Sequence, residues 1–396
     1  MRNPATDPVD PAEPTGTAAV TEAAASPSTS PTLSLPGAVP PPDASADRPA
    51  VDAGVPWHFG DPFAEQRAAA RSVAVFDRSN RGVLAVPGAD RFSWLHSLTS
   101  QDFTGLGVGR GSEALVLDAQ GRIEHHLAVA SADEVVWLDV EPGTAGALLS
   151  YLDSMRFWSQ VEPRDATAEL AVLSLVGPDT DRTLERAGWP VPAAPHGVAA
   201  RAGGGLARRV DWPGEHAVDL LVPRGELLAT WRALTEAGAR PAGSWAFEAL
   251  RVEALRPRLG VDTDERTIPH EVNLIGPAVH LNKGCYRGQE TVAKVHNVGR
   301  PPRRMVLLHL DGSAEVQPET GDPVLLGEKV VGRVGTVVRH HELGTVALAL
   351  LKRSAPVDVE LVAGVDDRAV QAAVDPDSIP PEGVAPGREA VRQLRG

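Results

Sequence analysis

The octapeptide Lys283-Gly284-Cys285-Tyr286-Arg287-Gly288-Gln289-Glu290 holds the only cysteine in a chain of 396 residues. Gly284 and Gly288 allow a tight backbone path, through positive φ or the close approach of another group. Lys283 and Arg287 put positive charge beside the thiol, which favours the thiolate if their side chains point towards it. The alternative for a free cysteine is a small buried hydrophobe. Tyr286 reads equally as a face for a flat ligand or as a cap on a core. Gln289 and Glu290 offer hydrogen bonds to a ligand or to the backbone of the turn. Apolar packing alone does not ask for such a run, so it marks a candidate site.

Upstream of the octapeptide, helices alternate with strands. Val83-Leu84-Ala85-Val86 reads as a strand and Asp90 to Leu98 as a helix, with Phe92, Leu95 and Leu98 on one side. Leu115 to Asp118 and Ile123 to Ala130 flank Ala119-Gln120-Gly121 as a hairpin, and Val135 to Leu138 adds a strand. A helix follows from about Thr144, with Leu148, Leu149, Leu152 and Met155 spaced for one face. The pattern recurs: strand Ala171 to Val176, helix Asp179 to Ala187, strand Val218 to Val222, and a helix through Leu227, Trp231 and Leu234 stopped by Gly238. Beyond Arg304 helical periodicity disappears. Met305 to Leu310, Pro323 to Leu326, Val330 to Val338 and Gly344 to Leu351 are closely spaced short strands, which argues for a small β-barrel or sandwich. The fold class is therefore α+β.

A formal net charge of -14 disfavours nonspecific attraction to nucleic acid or anionic lipid. Lys294, Arg300, Arg303 and Arg304 form a local basic run, read as a solvated turn ahead of a polyanion site. One cysteine excludes an intramolecular disulfide framework and cannot supply the four thiolates of an iron–sulfur cluster. No run of about 18 apolar residues is present, so no membrane span is expected, and the N-terminus lacks the order of a secretory signal. A cytoplasmic location is expected. His125-His126 and His340-His341-Glu342 do not converge as zinc ligands do; metal binding is not expected. Neither a phosphate-binding loop nor a dinucleotide motif occurs. The Ala/Pro/Ser/Thr-rich residues 1–54 and the end, 375–396, are expected to be disordered, leaving 55–300 as a folded region of two subdomains and 301–374 as the barrel.

The run K-G-C-Y-x-G-Q-E resembles the defining motif of the YgfZ-type folate-binding proteins, relatives of the glycine-cleavage T protein (aminomethyltransferase). The resemblance extends from Asp77-Arg78-Ser79, through Ala249-Leu250-Arg251-Val252-Glu253-Ala254 and Ile268-Pro269-His270-Glu271-Val272-Asn273-Leu274, to about Val370. It implies two interlocked α/β-sheet domains and a small C-terminal barrel around a central channel for tetrahydrofolate or a one-carbon derivative. It also implies a role in assembling or maintaining the iron–sulfur clusters of client enzymes, with Cys285 as the functional thiol and client or assembly proteins as partners.

Trp212-Pro213-Gly214-Glu215-His216-Ala217-Val218-Asp219 looks like the T-protein segment in which an aromatic residue and a carboxylate hold the pterin. Trp212 supplies a flat face and Asp219 an acceptor for paired N–H donors; the alternative places Trp212 in the core and Asp219 in solvent. Arg251 suits the carboxylate tail of folate, and Phe247, one turn earlier, would line the same channel; the alternative for Arg251 and Glu253 is an intrahelical polar pair or a domain-interface bridge. One departure is plain. Where T proteins carry a catalytic aspartate, this chain has Gly121-Arg122-Ile123-Glu124-His125-His126-Leu127, with His125 and His126 at the aspartate positions. Two rival readings therefore stand beside the first: a folate-dependent aminomethyl- or methyltransferase, and a noncatalytic folate-binding scaffold.

Overall fold

The computed structural model of the protein describes residues 29–42, 51–214, 216–298 and 300–380. The strand Gly82–Pro87 shows how the layers arise. Val83 and Ala85 face one core and Leu84 and Val86 another, so alternation buries both faces. Its five-stranded antiparallel sheet runs Gly111–Leu117, Ile123–Ala132, Val135–Val140, Gly82–Pro87, Arg164–Asp165. Helices Arg91–Leu98 and Ala145–Ser154 cover its outer face through Trp94, Leu95, Leu148 and Leu152.

A six-stranded sheet packs against its inner face, in the order Arg240–Ala242, Ala74–Asp77, Leu170–Val176, Ala217–Pro223, Leu206–Val210, Val198–Ala200. Val83, Ala85 and Ala130 meet Val172, Leu206 and Leu221 between the sheets. Helices Thr180–Arg186 and Leu227–Glu236 close the far side with Leu184, Trp231 and Leu234. The chain lays down Ala74–Asp77, leaves to build the five-stranded sheet, and returns with Leu170–Val176 to pair antiparallel beside its first strand. That excursion interlocks the two sheets.

The third unit is a closed barrel in the order Arg303–Leu310, Gly344–Lys352, Lys329–His340, Pro323–Leu326, Leu361–Ala363, Val370–Val374. Met305, Leu307, Val338 and Leu348 dock it on the helix Ser244–Glu253 and on the end of the first hairpin, where Leu115, Leu117 and Ile123 lie. The α+β architecture of two interlocked sheets and a C-terminal barrel is thus the one expected. Among the described residues no helix is long and apolar enough to cross a membrane.

The N-terminal expectation needs correcting for residues 29–42 and 51–54. Ser30 and Thr32 are buried and donate their hydroxyls to Asp77, Ser30 at 2.5 Å, and Asp52 pairs with Arg258 at 2.8 Å. Polar side chains that find buried partners hold this segment, a signal that low hydrophobicity conceals. The remainder of 1–54 lies outside the described residues. At the other end, Pro376–Ser378 forms a turn of 3-10 helix, and the Ser378 hydroxyl accepts from the Leu307 amide at 3.0 Å. Residues 381–396 lie outside the described residues.

Candidate functional site

Strand register assembles the first part of the site. In the six-stranded sheet Asp219 lies directly opposite Ser174 on one neighbour and Arg208 on the other, and Ser174 lies opposite Phe76. Residues paired in this way share a face, here the face turned towards the five-stranded sheet, from which Asp139 reaches across. Ser174 donates to Asp219 at 2.6 Å, and Arg208 binds Asp219 at 2.6 Å and Asp139 at 2.7 Å. Arg208 is only 2% exposed. Arg81 joins Asp139 and Glu141 at 2.7 and 2.8 Å. Burial would raise the Asp139 carboxyl, but Arg208 and Arg81 outweigh it and hold it down to about 2.

A cavity opens between the sheets above this row. Its walls carry Trp212, Asp219, Phe247 and Arg251, the residues singled out for folate, together with Arg78, Glu113 and His126. Phe247 meets the rings of Phe76 and Trp212 edge-on at 5.3 and 5.9 Å. Trp212 is partly exposed, and Arg256 stands 5.3 Å from its ring centre.

Arg251 requires a correction. It is 3% exposed, and every N–H of its guanidinium has an acceptor: Glu248, Asp262, Thr336 and the Arg256 carbonyl. It ties the helix to the barrel strand that carries Thr336, and it has no donor left for a ligand carboxylate. Glu253 also faces the barrel, 3.2 Å from His340.

Alternation along Ile123–Ala132 turns His126 into the cavity and His125 away from it. Glu113 accepts from His126 Nε2 at 2.6 Å and also from Arg256. Burial would raise the Glu113 carboxyl, yet Arg256 and His126 hold it at about 2. An ionised carboxylate makes Nε2 the donor, so at this position the chain shows a donor–carboxylate pair where T proteins place an aspartate. His125 is half-buried, its Nδ1 is unpartnered, and burial lowers its pKa.

The cysteine motif is built elsewhere. Gly288, at φ +81°, packs on the hairpin turn so closely that a Cβ there would stand 2.5 Å from the Asp118 carbonyl and 2.8 Å from Gly121 Cα. That approach explains the second glycine. Gln289 and Glu290 open the helix Gln289–Val298, which the turn reading of these residues did not anticipate. Tyr286 is buried in the core between hairpin, helix and barrel, and so caps that core. Lys283 caps the end of helix Arg91–Leu98, donating to the His96 and Thr99 carbonyls, and burial brings its ammonium down to about 8. Arg287 pairs with Glu124 at 2.9 Å. Both cations therefore have other partners. Cys285 itself is exposed rather than buried.

The thiol does not line the cavity. Glu124, the partner of its neighbour Arg287, is the extra residue of a β-bulge, where pairing passes from Val116 with His125 to Leu117 with Ile123, and Arg287 also approaches Tyr151 of the outer helix Ala145–Ser154. The basic run after the motif is largely engaged: Arg303 binds Asp264 and Glu271, and Arg304 donates to the Ala355 carbonyl. Among the described residues no cluster of three or more His, Cys, Asp or Glu side chains is arranged to hold a metal ion.

The residues present suit a pterin. Trp212 gives a flat face, Asp219 keeps acceptor capacity beyond its bonds to Ser174 and Arg208, and Arg78 keeps unfilled donors. Bound there, tetrahydrofolate would supply a ring nitrogen that carries a one-carbon unit. Neither Arg78 nor Glu113 was named as a site residue from sequence. The signal for Arg78 was present in Asp77-Arg78-Ser79, a charged residue directly after an all-buried strand.

Residues 54–283 match the model of the GCVT N-terminal domain. An aminomethyltransferase of Thermus thermophilus is 31% identical over 339 residues, covering 81% of this chain and 91% of the relative. An aminomethyltransferase of Methylococcus capsulatus is 32% identical over 223 residues, covering 54% of this chain and 60% of that protein. The crystal structure of glycine cleavage system aminomethyltransferase T from Bartonella henselae superposes with a TM-score of 0.74 at 19% identity, over 83% of this chain and 92% of that one. The last comparison concerns the fold alone.

Proposed function

The chain belongs to the glycine-cleavage T-protein (aminomethyltransferase) superfamily, and from that premise we propose a YgfZ-type protein that binds tetrahydrofolate and supports iron–sulfur clusters in other enzymes. The observation that carries this reading is the pairing of an intact pterin-like wall with an altered catalytic position. Trp212, Asp219 and Phe247 converge on one cavity, while His126 there is tied to Glu113 at 2.6 Å. The exposed Cys285 then provides chemistry at the surface, where a protein partner can reach it. Calorimetric titration of the purified chain with tetrahydrofolate, paired with iron–sulfur enzyme activities in a deletion strain, tests both halves. Absence of folate binding, or normal cluster enzymes in the deletion strain, overturns the reading.

The Trp212→Ala variant is expected to bind tetrahydrofolate about 10-fold more weakly, because stacking on one aromatic face is worth about 1–3 kcal/mol. A tail-less pterin should lose as much as the full ligand, since the contact is to the ring. Equal affinity in variant and wild type would move the pterin off this wall.

Aminomethyl transfer is the second reading, favoured by the names of the two relatives. The His126–Glu113 pair argues against it, because the imidazole spends Nε2–H on Glu113 and that carboxylate is taken by His126 and Arg256, which leaves no free fixed anion for a folate nitrogen. Purified protein is expected to show little or no transfer with a lipoyl carrier protein, and His126→Asp is not expected to restore it. Carrier docking and ligand geometry must match as well. Robust turnover by the wild type would put the transferase reading first.

A further inference from the structure

The guanidiniums on the cavity wall divide into satisfied and unsatisfied groups. Arg81, Arg208 and Arg251 each bind two carboxylates at 2.6 to 2.8 Å. Arg78 differs. Its one hydrogen bond runs to the Ser174 hydroxyl at 3.1 Å, and Asp219 Oδ1 stands 3.6 Å from Nη1. The guanidinium lies 4.3 Å over the Phe247 ring and 5.6 Å from the centre of Trp212. Its side chain is 13% exposed, and it lines the cavity. An arginine presents more N–H groups than these contacts use. Burial brings its pKa down to about 10, with Arg81 adding repulsion and Asp219 only partly opposing. The site therefore holds an aimed donor set that lacks an acceptor.

We propose that Arg78 reads the oxygen at C4 of a pterin ring, and with Asp219 makes the cavity select 4-oxo over 4-amino pterins. The inference rests on the folate reading above and adds a specificity residue to it. A pterin presents, along one edge, the 2-amino N–H, the N3–H and the C4 oxygen: two donors followed by an acceptor. A carboxylate answers the two donors and a guanidinium the acceptor, so the protein groups must be neighbours in that order. Asp219 and Arg78 are neighbours, 3.6 Å apart, and the Phe247 and Trp212 rings, set edge to face, stand beside them. Exchanging the C4 oxygen for an amino group turns the acceptor into a donor that faces the cation of Arg78 and also removes the hydrogen on N3 that Asp219 would accept, leaving buried groups without partners.

The test titrates the full chain with tetrahydrofolate and with tetrahydroaminopterin, which differ by the oxo or amino group at C4 and, with it, by the hydrogen on N3. Wild type is expected to prefer the 4-oxo ligand by about 10- to 100-fold, the range for a hydrogen bond to a charged group. Arg78→Met should lower that preference by weakening the 4-oxo ligand while sparing the 4-amino one, and the part that Asp219 carries through N3–H should remain. Arg78→Gln, whose amide donates and accepts, should lower it as well, and it carries the test alone if the methionine variant does not fold. A wild type without preference, or variants that keep the wild-type ratio, overturns the role of Arg78 and leaves the folate reading standing. Binding of neither ligand by the wild type overturns both.

Discussion

Cys285→Ala is expected to abolish function in cells while leaving the fold and its stability unchanged. The thiol is exposed and the two glycines, the buried Tyr286 and the Lys283 cap hold the motif without it. Removing an exposed side chain leaves no cavity, and surface substitutions of this kind usually change stability by less than about 0.5 kcal/mol. A functional loss in a well-folded variant would therefore report chemistry at sulfur. Lys283 and Arg287 have other partners, so exposure, and not a neighbouring cation, is what makes the thiol available. Cys285→Ser is expected to fail as well, because a hydroxyl is a far weaker nucleophile than a thiol at neutral pH. The measurement is complementation of a deletion strain, read as iron–sulfur enzyme activity, alongside urea melts of the purified variants. Full complementation by the alanine variant rejects a role for the thiol.

Much of the fold was legible because its elements have clean periods. Strands such as Val83 to Val86 and the long barrel strands announce themselves by apolar runs between turns, and helices such as Leu227–Glu236 by a single apolar stripe. The helix Gln289–Val298 was not legible, since its first residues belong to a motif that reads as a turn and its surface is mostly polar. Leu361–Ala363 and Val370–Val374 are short, yet they close the barrel: they pair with each other, the first also with Pro323–Leu326 and the second with Arg303–Leu310. Ala74–Asp77 is buried on both faces and so shows no alternation at all.

The site divides in the same way. Trp212 and Asp219 belong to one hairpin, and a spacing in sequence reports their proximity. Glu248, one helical turn before Arg251, is a local partner, but Asp262 and, across the domain contact, Thr336 are announced by no local pattern. A chain-distant acceptor thus converts an arginine that looks free in sequence into a buried tie. Arg78 is the reverse case, an arginine that stays short of acceptors after folding.

Replacing Asp139 with asparagine is expected to destabilise the protein by about 3–5 kcal/mol, the cost of breaking a buried ion pair from one side. Asp139 is 1% exposed and divides its oxygens between Arg208 and Arg81, each at 2.7 Å. An asparagine of the same shape must turn its NH2 towards one of those guanidiniums, so a donor faces a donor. Arg208 also carries the link to Asp219 on the other sheet, so the damage falls on the contact that holds the two sheets together. The measurement is a urea melt, in which the midpoint should fall with little change in slope. A loss below about 1 kcal/mol would mean that water or neighbouring carboxylates rescue the cations. The pH dependence provides an independent check. The folded carboxyl of Asp139 is depressed to about 2 from an ordinary 3.8. Its contribution is therefore complete above about pH 4 and is lost as pH falls through about 2. The asparagine variant has no carboxyl to titrate at this position, so the stability gap between the two proteins should narrow across that window.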